Sequence, residues 1–218
     1  MKLALSLMLA LCGVVSTVQA QELTGDAAAG AKINYQCIGC HGIPGYQSSF
    51  PEVHKVPMIS GQNAKYIAAA LNAYKKGERK HPSMHAVAAG LSEQNIADLA
   101  AYYAAHGEAT PAPEAAAVQP TPEVAALLAK GACVSCHGAN FSKPIDGSYP
   151  KIAGQYPDYL YVAMKSYKVE GNANVGRNNA IMGGIVKKNF TNQELKALAD
   201  YIGSLPGELE VVPQSRFR

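Results

Sequence analysis

Cys37-Ile38-Gly39-Cys40-His41-Gly42 returns later in the chain as Cys133-Val134-Ser135-Cys136-His137-Gly138. Two thiols three positions apart on one turn reach two vinyl groups along one edge of a porphyrin. The imidazole that follows then lies under the metal, so Cys-x-x-Cys-His is the attachment pattern of a c-type haem. The two motifs take every cysteine except Cys12, which lies in an apolar N-terminal stretch. Four cysteines in an exported chain otherwise suggest two disulfides. A zinc ribbon sets its Cys-x-x-Cys elements about 15–20 residues apart, whereas Cys40 and Cys133 are 93 positions apart. A thioredoxin-type redox pair follows a strand in a βαβ setting; these motifs sit in alanine-rich helical sequence. The pattern therefore predicts two covalently bound haem c groups, held by Cys37 and Cys40 and by Cys133 and Cys136, with His41 and His137 on the irons.

The remaining composition fits. At 218 residues the chain is one large domain or two small ones. Nineteen Lys and Arg against 16 acidic residues give a net charge of +3, too weak a basic footprint for nucleic acid. Hydrophobic residues make up 48%, but with four Phe and no Trp two domain interiors need volume from elsewhere, and a large flat macrocycle supplies it. Residues 1–20, MKLALSLMLALCGVVSTVQA, combine an early Lys, an apolar run and small residues around Ala20, the form of a cleaved secretory signal. The apolar run is shorter than the roughly 20 residues of a spanning helix. Lipidation at Cys12 is disfavoured by the bulky Leu11 before it. The expectation is a periplasmic mature chain without a transmembrane segment, which leaves peripheral membrane association open.

The chain repeats itself beyond the cysteines. Ile59-Ser60-Gly61-Gln62 returns at Ile152-Ala153-Gly154-Gln155, Tyr66 at Tyr159, Tyr74-Lys75 at Tyr167-Lys168, and Leu99 to Tyr102 at Leu198 to Tyr201, with offsets of 93 to 99. Each half is one copy of a haem-binding unit. Between them lies a stretch rich in Pro, Ala, Glu and Thr, suited to an extended linker. The predicted organisation is a signal peptide over 1–20, an N-terminal domain over 21–107, a linker over 108–121 and a C-terminal domain over 122–218. Within each half the patterning predicts short helices and nothing that requires a sheet. One helix leads into each motif, from about Asp26 to Gln36 and from Pro122. A second follows Gln62 or Gln155 and carries the tyrosines on one packing face. A last helix starts at Ser92 or Thr191, where Thr191 and Glu194 fit a capping box.

The sixth iron ligand decides between electron carriage and chemistry. No histidine follows His137, so the second half must use another residue type, and its methionines are Met164 and Met182. Met164 aligns with Leu71 and reads as core. Met182 lies in a stretch that reads as poor in helix. In the first half Met58 aligns with Lys151, which is no matching ligand, while Met84 precedes Ser92 by nearly the distance at which Met182 precedes Thr191. Met84 and Met182 are the predicted ligands, with His54, His81 and His85 as competitors on the first haem.

With these motifs, the chain resembles the dihaem cytochrome c4 family of bacterial periplasm over nearly all of its mature length. The resemblance implies an all-α protein of two tandem class I cytochrome c domains, each a small bundle of short helices around one covalent haem, related by a pseudo-twofold axis. It also implies an electron-transfer protein rather than an enzyme. Its partners would be redox proteins, with a respiratory complex as donor and a terminal oxidase as acceptor. The alternative is the cytochrome subunit of a periplasmic dehydrogenase, such as a sulfide or sulfur-compound oxidising enzyme. In class I cytochromes a proline near the motif orients the proximal imidazole through its carbonyl. Pro44 is the expected residue in the first half and Pro144 a candidate in the second.

Overall fold

The computed structural model describes residues 23–107 and 111–213; the signal peptide read over residues 1–20 lies outside them. In the first half, α1 spans Ala27–Ile33, α2 Tyr35–His41, α3 Ala64–Lys75, α4 Pro82–Ala89 and α5 Glu93–Ala105. The second half repeats them as α6 (Pro122–Lys130), α7 (Val134–His137), α8 (Pro157–Ser166), α9 (Ala180–Asn189) and α10 (Asn192–Ser204). Among the described residues, four strands of two residues each form two minimal antiparallel ladders: β1 (Gln47–Ser48) with β2 (His54–Lys55), and β3 (Arg79–Lys80) with β4 (Gly176–Arg177). The second ladder joins the halves.

The expected leading helix is broken in two at Asn34, which caps both α1 and α2 and is buried. The last helices begin where their caps predict. Ser92 and Thr191 each accept a hydrogen bond from the backbone N–H three residues on, and the Asn95 and Glu194 side chains accept one in return from the cap backbone, satisfying two otherwise orphaned donors at each helix start.

Helices α5 and α10 bury the same stripe. Ile96, Leu99, Ala100 and Tyr103 line one face of α5, and Leu195, Leu198, Ala199 and Ile202 line one face of α10. That i, i+3, i+4, i+7 spacing is one side of a 3.6-residue helix, and each large member contributes about 1.5–3 kcal/mol by leaving water. The face of α5 packs on α1 and α3, and that of α10 on α6 and α8. Gly30 makes the first crossing close, since a Cβ there would lie 2.2 Å from the Asp98 carbonyl oxygen.

The repeated Gly-Gln segments form the boundary between the halves. Gly61 and Gly154 take left-handed backbone conformations, φ 80° and 70°, which glycine adopts without strain. The glutamines after them are buried. Gln62 donates from Nε2 to the Lys151 carbonyl (2.9 Å) and accepts at Oε1 from the Lys151 N–H (2.9 Å). Gln155 donates to the Met58 carbonyl (2.8 Å) and accepts from the Met58 N–H (3.1 Å). Met58 and Lys151 are equivalent positions of the repeat, so the contact has pseudo-twofold symmetry.

Other contacts cross the boundary without a symmetric counterpart. The β2 backbone N–H of Lys55 donates to Asp158 (3.0 Å), Lys165 pairs with Glu52 (2.8 Å), and the His54 ring stacks on Tyr159. Near the C-terminus the Glu210 N–H donates to the Ser60 carbonyl (3.2 Å). Residues 111–121 carry no helix or strand and lie along the second half, where Asn140 donates to the Pro113 carbonyl (2.5 Å) and Tyr201 to that of Val118 (2.9 Å).

Candidate metal centres

Each Cys-x-x-Cys-His motif lies on one short helix. Cys37, Cys40 and His41 all belong to α2, which ends at the Gly42 cap; Cys133 caps α7, which carries Cys136 and His137. One turn of helix sets both thiols and the imidazole within reach of one planar group. The four thiols are free, unpaired with one another. Cys37 and Cys133 pack against the hydrophobic core of their own halves, and burial pushes the Cys37 thiol up to about 11.

Both imidazoles are held alike. The Nδ1 of His41 lies 2.8 Å from the Pro57 carbonyl oxygen, and that of His137 lies 3.0 Å from the Pro150 carbonyl oxygen. A carbonyl only accepts, so Nδ1 carries the proton and Nε2 keeps its lone pair for a metal. A metal-bound histidine is oriented in this way. Burial lowers the proton affinity of His41 against the opposing pull of Pro57, and the charges of Arg79 and His81 lower it further. Burial likewise lowers that of His137. Both rings are thereby kept neutral, the form that binds iron.

Pro57 and Pro150 correct the expectation for Pro44 and Pro144. They stand at the same repeat offset, five residues before each glutamine, and that register is the signal that finds them. Pro44 itself is exposed.

The predicted methionines occupy equivalent places. Met84 is the third residue of α4 and Met182 the third of α9, and both are half-buried. Met182 thus stands in a helix, in place of the helix-poor stretch expected: Asn179 caps α9 by accepting from the Met182 N–H (2.9 Å), and two glycines in the helix do not break it. Met182 and Met164 both pack against the second core. The competing histidines have partners of their own, His54 on the Glu52 carbonyl, His81 on that of Phe50 and His85 on that of Tyr74.

A pair of residues outside the motifs completes this region. Arg79 and Arg177 face each other in the ladder of β3 and β4, and the Nε of Arg79 is buried without a partner. The two stand 98 residues apart, as do Met84 and Met182, so the repeat could have revealed them.

The family model for cytochrome c matches residues 27–105 and again residues 123–206. The chain belongs to the cytochrome c family. It is similar to cytochrome c4 of Azotobacter vinelandii, with 30% identity over 83% of this chain and 90% of that one. It is also similar to the thiosulfate dehydrogenase electron acceptor of Stutzerimonas stutzeri, with 29% identity over 89% and 94% of the two chains. Among solved structures, reduced cytochrome c4 from Pseudomonas stutzeri superposes with a TM-score of 0.60 at 25% identity, covering 84% of this chain and all of that one. The likeness to cytochrome c4 extends through both halves. This cytochrome is accordingly a dihaem electron-transfer protein of two helical domains. Its residues fit two haems: free thiol pairs at vinyl spacing, neutral imidazoles with Nδ1 already engaged, and an unpartnered buried guanidinium nitrogen on Arg79.

Proposed function

We propose that this cytochrome carries electrons in the periplasm through two His/Met-ligated haems, with His41 and Met84 on the first iron and His137 and Met182 on the second. Cys37, Cys40, Cys133 and Cys136 are the thioether positions, and the protein acts as a carrier rather than an enzyme. The observation that carries this reading is the matched pair of proximal histidines, each tied through Nδ1 to an equivalent proline carbonyl. Each haem, when bound, supplies a one-electron iron couple whose potential His/Met ligation raises.

The chain's residues do the rest. Pro57 and Pro150 hold the imidazoles against rotation. Gln62 and Gln155 fix the separation of the two domains, so that an electron entering one domain can leave through the other. With an imidazole and a thioether both engaged, an iron held here would keep no open position for substrate, which separates carriage from catalysis. The signal-like residues 1–20 support export, and among the described residues no helix is long and apolar enough to cross a membrane.

A respiratory complex as donor and a terminal oxidase as acceptor suit a carrier of raised potential. A second reading draws on the thiosulfate dehydrogenase electron acceptor that resembles this chain: acceptance of electrons from a periplasmic sulfur-compound dehydrogenase.

Potentiometric titration followed by visible absorption tests the ligand assignment. Two low-spin haems per chain, both titrating at positive potential, support it; a high-spin haem or a strongly negative one overturns it. Reduction rates with a quinol-oxidising complex and with a thiosulfate dehydrogenase separate the two donors.

A further inference from the structure

The carbonyl that holds each proximal imidazole and the N–H that each boundary glutamine engages belong to one peptide group. The Pro57–Met58 peptide accepts at its oxygen from His41 Nδ1 (2.8 Å) and donates from its nitrogen to Gln155 Oε1 (3.1 Å). The Pro150–Lys151 peptide accepts from His137 Nδ1 (3.0 Å) and donates to Gln62 Oε1 (2.9 Å). Each imidazole thus stands two hydrogen bonds and one peptide away from a side chain of the other domain. The two paths are repeat equivalents and cross the boundary in opposite directions.

Each glutamine is oriented independently of the peptide nitrogen it accepts from. Gln155 Oε1 also accepts from the Tyr156 N–H (3.0 Å), and Gln62 Oε1 from the Asn63 N–H (3.0 Å). On the other side of each amide, Nε2 donates to the Met58 or Lys151 carbonyl. Two backbone donors fix the oxygen and one backbone acceptor fixes the nitrogen, so each amide has a single orientation. Both side chains are buried, where water does not compete. Hydrogen bonds in series polarise one another, by about 10–30% per bond. An acceptor on a peptide nitrogen pushes electron density onto the peptide oxygen, and a more basic oxygen draws the Nδ1 proton harder. The imidazole then becomes a stronger donor to a metal at Nε2.

We propose that Gln62 and Gln155 are positioning residues for the haem of the opposite domain, each acting through a shared peptide on the proximal imidazole, Gln155 on His41 and Gln62 on His137. The inference rests on the assignment of both histidines to iron in the carrier reading above. A more electron-rich imidazole favours the oxidised iron, so each glutamine holds the other domain's potential down. Closure of the boundary by itself acts the other way, because keeping water from a haem disfavours its more highly charged oxidised state. The two effects therefore differ in sign, and the relay differs again in moving one haem at a time.

The test is spectroelectrochemical titration of the full haem-loaded chain with Gln155→Leu, Gln62→Leu and the corresponding Glu substitutions, the haems being told apart by the spectral changes of Met84→Ala and Met182→Ala. Gln155→Leu removes the acceptor on the Met58 N–H. At fixed applied potential it should lower the oxidised-to-reduced ratio of the His41 haem about threefold, a rise of about 28 mV at about 59 mV per decade for one electron. The His137 haem should stay unmoved, and Gln62→Leu should give the converse. Gln155→Glu and Gln62→Glu keep an acceptor and should give no upward shift. Leu variants that lower both potentials, that move the haem of the substituted domain, or that move neither haem overturn the proposal. Should the variants fail to accumulate, the parent decides. With isotope-labelled glutamine, infrared difference spectra between the two oxidation states should contain a shifted side-chain carbonyl band, and glutamine bands indifferent to oxidation state overturn the relay. A parent with two low-spin haems but no crossed shift loses the relay alone and keeps the carrier reading, whereas a parent whose iron is not bound to His41 or His137 overturns both.

Discussion

Gln62 and Gln155 make the same pair of hydrogen bonds in opposite directions across the domain boundary, each clamping the backbone of one residue in the other half. Four bonds, all at 3.1 Å or less, close the interface around two buried side chains.

Gln155→Ala strands the N–H and carbonyl of Met58, and Gln62→Ala does the same to Lys151. Leaving a buried polar group unsatisfied costs about 1–3 kcal/mol. Chemical denaturation of the loaded protein is expected to show each substitution lowering stability by that amount, with the double variant unfolding in two separable transitions, one for each domain.

Met182→Ala removes the proposed thioether from the second iron and leaves the first untouched. Absorption and magnetic circular dichroism should show one high-spin and one low-spin haem per chain. Loss of the thioether, which raises the potential, should lower one midpoint by at least about 59 mV, tenfold in the one-electron equilibrium. Met84→Ala should give the converse pattern, and Met58→Ala neither.

Gly30→Val drives a side chain into the Asp98 carbonyl where α1 crosses α5. Overpacking of this kind costs about 1–3 kcal/mol. Thermal unfolding should register the loss as a lower midpoint, while the absorption spectrum of the C-terminal haem in the folded protein stays as in the parent.

Glu208 provides a pH-dependent tether. Burial pushes its carboxyl up, but the Lys151 ammonium 2.7 Å away and the Ala112 N–H outweigh this and hold it below its usual 4.5. A carboxyl with a depressed folded value stabilises the native state above its unfolded value, and that stabilisation fades as pH falls through the folded one. The difference in melting temperature between the parent and Glu208→Gln should therefore be constant above about pH 5.5 and shrink steadily below the unfolded value near 4.5.

The helical stripes of α5 and α10, their caps and both Cys-x-x-Cys-His motifs were readable from residue spacing, because each is a local relation along one helix. The break at Asn34 was not, since nothing in Ile33-Asn34-Tyr35 forbids a continuous helix and burial of Asn34 decides it. Pro57 and Pro150 were missed in favour of Pro44 and Pro144 because the acceptor is a backbone carbonyl, an atom that every residue possesses and no side chain advertises. Met182 was assigned to irregular chain on account of Gly183 and Gly184, whose cost to the helix is offset by the Asn179 cap. Arg79 and Arg177 belong to no motif along the chain, and only the fold brings them together across the boundary.

The glutamine contact has a further consequence because it grips main chain. Met58 and Lys151 differ in size, polarity and charge, yet serve the same purpose, since only their peptide groups are engaged. Each half offers both the hook and the eye, so the surface is self-complementary in the sense of an isologous dimer. Side chains around it are free to diverge, one half acquiring its own hairpin and the other its own charges, without loosening the register in which the two are held.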